Sequence, residues 1–257
     1  MTFPLESLNQ MQCFFWVLMR VSIMIFLLPL FGAKGVPSIW KIGLSMILAI
    51  SLMPAVPQTT VYPSAAAEII IDLISEAIMG LILAMTVRMF FTSIQMAGHF
   101  MSFQMGFSMA RAIDPQAEVQ DSVITELMYL LTILMFFTIN GHHIFIRALA
   151  SSFKLAPPCG LAFDSSIAGI LVKLGGDMFL TGLKLAAPIV IALFLSNLCL
   201  GIVARTVPQV NILMVGFPVN ICIGFFFLIM TFANMTPFLT SLFKNMGEAL
   251  MALMRLM

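Results

Sequence analysis

Long stretches without a charged residue constrain the fold of this chain more than any other feature. Four such runs are Met89–Ala110, Leu127–Ile146, Leu185–Ala204 and Thr206–Phe243. Each is about 20 residues or longer, enough for a helix to cross the roughly 30 Å hydrocarbon core of a bilayer. Only 9% of the residues are charged and 61% are apolar, whereas a soluble domain carries about 25% charged residues. The sequence therefore predicts an all-α, multi-pass integral membrane protein.

The N-terminal half divides into three apolar segments. Met11–Phe31 has a single interrupting charge, and a second segment, from about Ser38 to Met53, stops in a cluster of prolines. The third segment, Ala65 to about Ala110, would be roughly 70 Å long as a straight helix. That exceeds one bilayer, so we expect it to bend or break near Gly80 or Gly98, or to stand partly outside the membrane.

The C-terminal half continues the pattern, and no long linker separates it from the first. The predicted segments are a helix over Val123–Ile139 stopped by Asn140-Gly141, an apolar helix over Gly175–Ala204, a polar connector over Arg205–Asn211, a last apolar run after Pro218, and an amphipathic tail over Phe238–Met257. The tail could lie along a membrane surface or pack on a partner. We predict a single membrane-embedded domain over residues 1–257. Its first half covers about residues 1–122 and ends in a polar loop, and its second half covers about residues 123–257.

The stretch from Gln104 to Pro115 is the strongest functional indication in the sequence. It ends a long uncharged helix in an Asp-Pro turn and releases a polar loop that runs through Ser122. Polar, irregular backbone at membrane depth is tolerated only where it is buried in protein or lines a watery cavity. The pattern therefore indicates a pore or gate element. Its candidate residues are Met105, Gly106, Phe107, Ser108, Met109, Arg111, Asp114 and Pro115.

A helical projection of residues 95–109 separates three faces. Phenylalanines (Phe100, Phe103 and Phe107) form one face, methionines (Met101, Met105 and Met109) form the opposite face, and a small polar strip (Gln95, His99, Ser102 and Gly106) lies between them. The strip suits close helix contact with hydrogen bonds. The methionine face is most simply packing, although methionine can also re-pack around a variable cargo.

Charges within the apolar body need partners. Glu68, Asp72 and Glu76 recur every four residues, and Arg88 follows on the same segment. This acidic stripe is either a solvated first turn or a set of ion pairs with a neighbouring subunit. We expect Asp72, Glu76, Arg88 and Lys184 to be satisfied by other subunits.

Nothing in the sequence indicates a catalyst, a cofactor or a metal. His142 and His143 are adjacent, so they point apart on a helix, and a metal site needs other spacings. Gly106-Phe-Ser108 lacks the second glycine of a serine nucleophile turn, because Ala110 stands there. The cysteines are scattered, and a net charge of +1 makes nucleic acid a poor partner.

Several motifs, taken together and in order, resemble those of the FliR family of flagellar biosynthetic proteins. They are the Val-Pro step within Phe31–Leu44, Gln104-Met-Gly-Phe-Ser-Met-Ala with Asp114-Pro115, Asn140-Gly-His-His143, Ala187-Pro188, and Gly201-Ile-Val-Ala-Arg205-Thr-Val-Pro208-Gln209-Val-Asn211 followed by Gly216-Phe-Pro218. The resemblance spans nearly the whole chain. Arg111 departs from it, since a neutral residue is expected before the Asp-Pro turn.

The resemblance implies a core subunit of the flagellar type III export gate, in the bacterial inner membrane at the basal body. Family members assemble with FliP and FliQ into a helical, cone-like complex of tilted hairpins that passes unfolded flagellar proteins outward. In the family, the loop corresponding to Met105–Asp121, which we call the plug loop, lies in the lumen. In the family, the C-terminal half contacts FlhB. The energy for export comes from the proton motive force and an associated ATPase, and this chain supplies neither.

The resemblance and the sequence also indicate residues for structural or subunit contacts. These are Glu76, Arg88, Asn140, Gly141, His142, Arg205, Pro208 and Gln209. Two alternatives to the flagellar gate remain, an export-gate subunit of a virulence injectisome and a small-molecule permease. A permease usually has pseudo-repeated halves and charges at the membrane midplane, and this chain shows neither clearly.

Overall fold

The structure, a computed structural model, is all helical in the regular secondary structure of the residues that it describes. These residues are 8–32, 36–57, 65–107, 122–159, 164–207 and 212–257. The helices are α1 (Leu8–Leu27), the short α2 (Pro29–Gly32), α3 (Ser38–Leu52), α4 (Ala66–Gln104), α5 (Val123–Thr138), α6 (Gly141–Leu155), α7 (Ser166–Thr206), α8 (Ile212–Ala233) and α9 (Met235–Met254). Within these ranges no strand occurs, so the all-α prediction is confirmed.

Five of the helices are long and apolar enough to cross a membrane. They are α1, α3 together with the 3-10 turn Met53–Ala55 that extends it, α4, α7 and α8, and α5 with α6 forms a further pair that bends by 71° at its break. The prediction of a multi-pass membrane protein is confirmed. With 39 and 41 residues, α4 and α7 would each extend for about 60 Å, twice the hydrocarbon thickness.

One expected helix break is absent and one predicted helix start is wrong. The helix α4 is continuous from Ala66 to Gln104, without a break at Gly80 or Gly98, so a bend or a position partly outside the membrane stays a prediction. The helix α7 begins at Ser166 rather than at Gly175, because the Asp164 carboxylate accepts a 3.0 Å hydrogen bond from the Ser166 amide and so starts the helix earlier. The Gly175–Gly176 pair does not interrupt the helix that follows.

The stop at Asn140-Gly141 is confirmed. Asn140 adopts the left-handed conformation, with φ of 57°, and a hydrogen bond runs from the Ile139 amide to the Met135 carbonyl. Asparagine tolerates this conformation better than most residues. Gly141 then begins α6 and is buried.

The chain forms two compact units, each of which draws on separate parts of the sequence. Unit 1 comprises Met1–Phe90, Asn140–Leu174 and Phe243–Met257, and unit 2 comprises Phe91–Ile139 and Gly175–Leu242. In unit 1, Val17, Leu83, Phe153 and Leu250 are all essentially inaccessible to solvent. Four different helices therefore supply the core of this unit.

The C-terminal tail contributes to the core of unit 1. Phe243, Met246, Leu250 and Leu253 of α9 have no exposed surface, while Lys244 is exposed. The amphipathic pattern is therefore satisfied largely within the chain, because the apolar stripe has its own unit to pack against. These four residues pack within unit 1 rather than on a membrane or a partner, and the contact predicted for the rest of the tail stays a prediction.

Unit 2 is held together by close helix packing at glycines. A Cβ on Gly98 would lie 2.8 Å from the Cα of Thr125, and one on Gly182 would lie 2.7 Å from the carbonyl oxygen of Ser93. Such approaches are typical of membrane helix pairs, where small residues let backbones meet. They fix the second half of α4 against α5 and α7.

Candidate functional site

The candidate gate element starts where α4 ends, in unit 2. The amide of Gly106 donates to the carbonyl of Phe103 at 3.1 Å, and the amide of Phe107 donates to that of Ser102 at 3.1 Å. Gly106 has φ of +89°. This pair of nested hydrogen bonds around a glycine of positive φ is the Schellman motif that closes many helices.

The predicted end of this helix is therefore wrong. Sequence reasoning carried the helix to about Ala110 and attributed its end to Asp114-Pro115, but Gly106 ends it first. A residue without a Cβ adopts positive φ at little cost, so the glycine decides the boundary before the proline is reached. The structure describes the plug loop only as far as Phe107.

Met105 anchors the base of the plug loop. Its side chain has no exposed surface and fills the space beside Gly224 of α8. A Cβ added at Gly224 would lie 2.6 to 2.8 Å from three atoms of the Met105 side chain. The structure thus places Met105 in the core of unit 2, whereas the resemblance places it in the lumen.

Gly106 makes a second contact with α8. A Cβ on this glycine would lie 2.7 Å from Cε1 and 2.9 Å from Cδ1 of Phe217. An aromatic ring thus occupies the space that the missing side chain of Gly106 leaves. Gln104–Phe107 and Gly216–Pro218, two motifs far apart in the sequence, therefore meet at the base of the plug loop.

The three faces predicted for this part of α4 have distinct environments. Met101 and Met105 are wholly buried, while Phe103 is 69% exposed. On the polar strip, the His99 Nδ1 lies 3.4 Å from the Thr125 hydroxyl, and Ser102 is buried. The packing interpretation of the methionine face is confirmed for these two residues, and the strip makes the close helix contact predicted for it.

Glycine substitution at the anchor offers a direct test of this packing. Gly224→Ala should destabilise the protein by about 1–3 kcal/mol, since the new methyl group overlaps Met105. Met105→Ala in the same chain should relieve the overlap, so the double variant should be more stable than the sum of the two single effects predicts. Thermal unfolding of the purified protein measures both.

The matched control is Gly201→Ala, because nothing lies within 4 Å of the Cβ that it adds. It should leave stability unchanged or raise it slightly, since alanine favours a helix over glycine. Strict additivity between Gly224→Ala and Met105→Ala would contradict the contact.

A buried charge cluster lies in unit 1. Arg20 of α1 donates two hydrogen bonds of 2.7 Å to the carboxylate of Glu76 on α4, and both side chains are 0% exposed. Its Nη1 also donates to the Ser152 hydroxyl at 3.2 Å and to the Ala156 carbonyl at 3.0 Å. The guanidinium carbon lies 4.5 Å from the centre of the Phe153 ring.

This cluster corrects the prediction for Glu76. Its charge is satisfied by Arg20 of the same chain, not by a neighbouring subunit. The two-pronged guanidinium matches the carboxylate, which favours this geometry for a desolvated pair. Sequence reasoning treated Arg20 as an interruption in an apolar run. A lone arginine in such a run could have indicated the pair, because intramembrane charges usually find partners.

The other charged residues for which we predicted partners differ in their exposure and their contacts. Glu68 is exposed and Asp72 is half-buried. Asp72 lies close enough to Cys159 to affect its thiol: burial, and then the charge and hydrogen bonding of Asp72, raise the pKa of Cys159 from 9.0 to about 12. Arg88 and Lys184 are exposed, and neither forms an ion pair with any other described residue.

Cys159 should therefore react slowly with alkylating reagents. Only the thiolate attacks, so a pKa near 12 leaves about a thousandfold less thiolate at pH 8 than a pKa near 9 does. We expect iodoacetamide labelling of a variant with Cys159 alone to rise steeply with pH up to about 12. Denaturation in detergent should restore ordinary reactivity, and a plateau near pH 9 in the folded protein would contradict the environment described.

The remaining predicted site residues are placed as follows. His142 and His143 stack edge to face, with ring centres 4.4 Å apart. Within the described ranges, no three His, Cys, Asp or Glu side chains could hold a metal together. Arg205 lies exposed in the last turn of α7. Outside the described residues lie Ser108, Met109, Arg111, Asp114, Pro115, Pro208 and Gln209.

A polar cluster that sequence reasoning missed joins α7 and α8 in unit 2. The Asn220 amide donates to the Asn197 side-chain oxygen at 2.7 Å, and the Ser196 hydroxyl donates to the Asn220 side-chain oxygen at 3.0 Å. Hydrogen bonds of this kind hold apolar helices together in a membrane. Asn197 and Asn220 are rare polar residues in apolar runs, and this rarity could have indicated a hydrogen-bonded contact between the two helices.

Comparisons with known proteins all indicate the same family over most of the chain. Residues 11–246 match the family described as bacterial export proteins, family 1. The chain is 35% identical to the flagellar biosynthetic protein FliR of Bacillus subtilis over 224 residues, which cover 84% of each chain. It is 30% identical to FliR of Escherichia coli over 245 residues, 95% of this chain and 94% of the relative. FliR of Pectobacterium carotovorum is 31% identical over the same shares.

Proposed function

This chain belongs to the bacterial export proteins, family 1, as a member of the FliR family, and from that premise we propose how it works. It is a subunit of the flagellar type III export gate, the channel through which flagellar proteins leave the cell during assembly. We place it in the bacterial inner membrane at the flagellar basal body. It acts as a structural component of a transport channel, and we assign no catalytic step to its residues.

The observation that carries the proposal is the fixed base of the plug loop. Met105 is locked beside Gly224, and Gly106 turns the chain out of α4 against Phe217. A loop that must open for cargo and close afterwards needs a rigid starting point, so that its resting position is reproducible. The geometry of unit 2 supplies that point.

The sequence beyond the anchor suits a displaceable obstruction. Residues with small or unbranched side chains, such as Ser108, Met109 and Ala110, follow in the sequence. They can adapt to an unfolded polypeptide because methionine re-packs readily and small residues offer little steric resistance. We infer that passing cargo displaces the plug loop while the buried Met105 holds its base in place.

The proposed partners are FliP-like and FliQ-like subunits, with an FlhB-like protein at the C-terminal half and membrane lipid around the complex. Large apolar side chains are exposed along α4 and α7, including Ile70, Ile71, Val172 and Ile191. Exposed apolar surface of this extent needs lipid or protein to cover it. Arg88 and Lys184 are the charges that we assign to contacts with these partners.

The proposal is tested by affinity purification of a tagged chain from a motile bacterium, together with motility of a strain that lacks the chain. We expect FliP-like and FliQ-like proteins to co-purify, and flagella to be absent from the deletion strain. A chain isolated alone that moves a small solute in liposomes would instead establish the permease alternative. Loss of virulence secretion with normal flagella would establish the injectisome alternative.

A further inference from the structure

A basic groove lies between α6 and α9 within unit 1. It has a volume of about 530 Å³ and is open to the surface. It is lined by Arg147 on α6, by Lys244 on α9 and by Arg255 just beyond the end of α9, together with a single acid, Glu248. All four of these side chains are exposed.

The charges in this groove are not neutralised within the chain. None of the three cations forms an ion pair with another residue in the part of the chain that the structure describes. With one acid against three bases, the groove carries an excess of two positive charges. Its electrostatics therefore favour an anionic occupant.

The rest of the lining is apolar. We call the four exposed charged side chains the rim of the groove, and we call the apolar residues its floor. The floor residues are Ile144, Ala148, Met251 and Ala252, of which Ala148 is buried and Ile144 and Met251 are half-buried. At Gly247 the two helices meet closely, since a Cβ there would lie 2.9 Å from Cγ2 of Ile144. The tight packing of the helices gives the groove a fixed wall.

The two helices are also amphipathic rather than uniformly apolar. The helix α9 is not among the described helices that could span a membrane by themselves, and α6 qualifies only together with α5. A basic rim above an apolar floor in a membrane protein matches an anionic amphiphile, with its phosphate at the rim and its acyl chain on the floor.

We propose that the α6–α9 groove is a binding site for an anionic phospholipid. Arg147, Lys244 and Arg255 hold the phosphate group, and the floor around Met251 and Ala252 holds the start of an acyl chain. A soluble anion would contact only the basic rim, and an acidic peptide would leave the apolar floor uncovered. Because the groove combines basic and apolar lining residues, it favours a lipid over both.

The test measures equilibrium binding of fluorescent phosphatidylglycerol and phosphatidylcholine with identical acyl chains to the full-length protein, purified with its co-purifying subunits. Wild-type protein should bind phosphatidylglycerol at least about tenfold more tightly, because each cation near an anionic lipid contributes about fivefold. In Arg147→Gln/Lys244→Gln/Arg255→Gln the preference should fall to about twofold or less.

Two control variants separate the effect of the groove's charge on lipid binding from the effect of its shape. Lys154→Gln/Lys173→Gln removes two exposed cations that do not line the groove, and it should keep the preference. Ala252→Leu keeps every charge but fills the floor, so it should weaken phosphatidylglycerol binding.

Three outcomes would overturn the proposal. An unchanged preference in the triple groove variant would show that the cations do not select lipid. Displacement of the lipid by an equal concentration of glycerol phosphate would indicate a site for a free phosphate. Displacement by an equal concentration of polyglutamate would indicate an acidic protein partner.

Discussion

Glu76→Gln should destabilise the protein by about 3–5 kcal/mol, because it leaves the buried guanidinium of Arg20 without a countercharge. Arg20 is 0% exposed, so water cannot replace the lost partner. A loss of this size is a large fraction of the roughly 5–15 kcal/mol that stabilises a typical domain. We expect a lowered unfolding temperature in detergent and little assembled complex in the membrane.

Two controls isolate the ion pair from other effects of the substitution. Glu68→Gln makes the same change on the same helix at an exposed position, and it should alter stability by less than about 0.5 kcal/mol. Arg20→Met/Glu76→Leu removes both charges and should recover much of the loss, since apolar pairs often replace buried ion pairs well. A double variant no more stable than Glu76→Gln would show that the charges themselves are required.

Gly106→Val should abolish export and motility while leaving most of the chain folded. The substitution forces a β-branched residue to φ of +89°, which costs about 1–3 kcal/mol. It also places atoms within 2.7 Å of the Phe217 ring, and overpacking of this kind costs about 1–3 kcal/mol more. The base of the plug loop would then lose its fixed geometry.

Phe217→Ala separates the two causes. It removes the ring but not the unfavourable φ, so in combination with Gly106→Val it should restore only part of the lost motility. Swimming in soft agar measures the effect, and membrane levels of the chain show whether it has folded. Full recovery in the double variant would mean that the clash alone matters and that the backbone turn does not.

Some features of this molecule follow from local sequence. Uncharged runs predicted the membrane helices because their lengths and composition suffice to define a span. Asn140-Gly141 predicted a helix end because both residues tolerate the left-handed conformation seen at Asn140. The proline cluster that starts at Pro54 likewise predicted the end of α3, which comes at Leu52. The helical projection placed Met101 and Met105 on one face, most simply a packing face, and both are buried.

Other features depend on contacts between distant residues. Arg20 and Glu76 are 56 positions apart, and no local pattern links them. Gly106 ends α4 through hydrogen bonds that compete with continuation of the helix, and Phe217 and Gly224 of α8 contact the residues at this end. Both glycines are visible in the sequence, but only the packing of α8 shows what occupies the space they leave.

The resting ion conductance of the assembled complex tests the account most directly. Full-length protein and a variant lacking Ala110–Glu118 would each be purified with their partner subunits and placed in planar bilayers. Because the deletion starts beyond the anchor at Met105 and Gly106, assembly should be preserved while the resting conductance rises. A deletion variant that assembles and shows the same low conductance as the full-length complex would contradict the claim that the plug loop closes the gate.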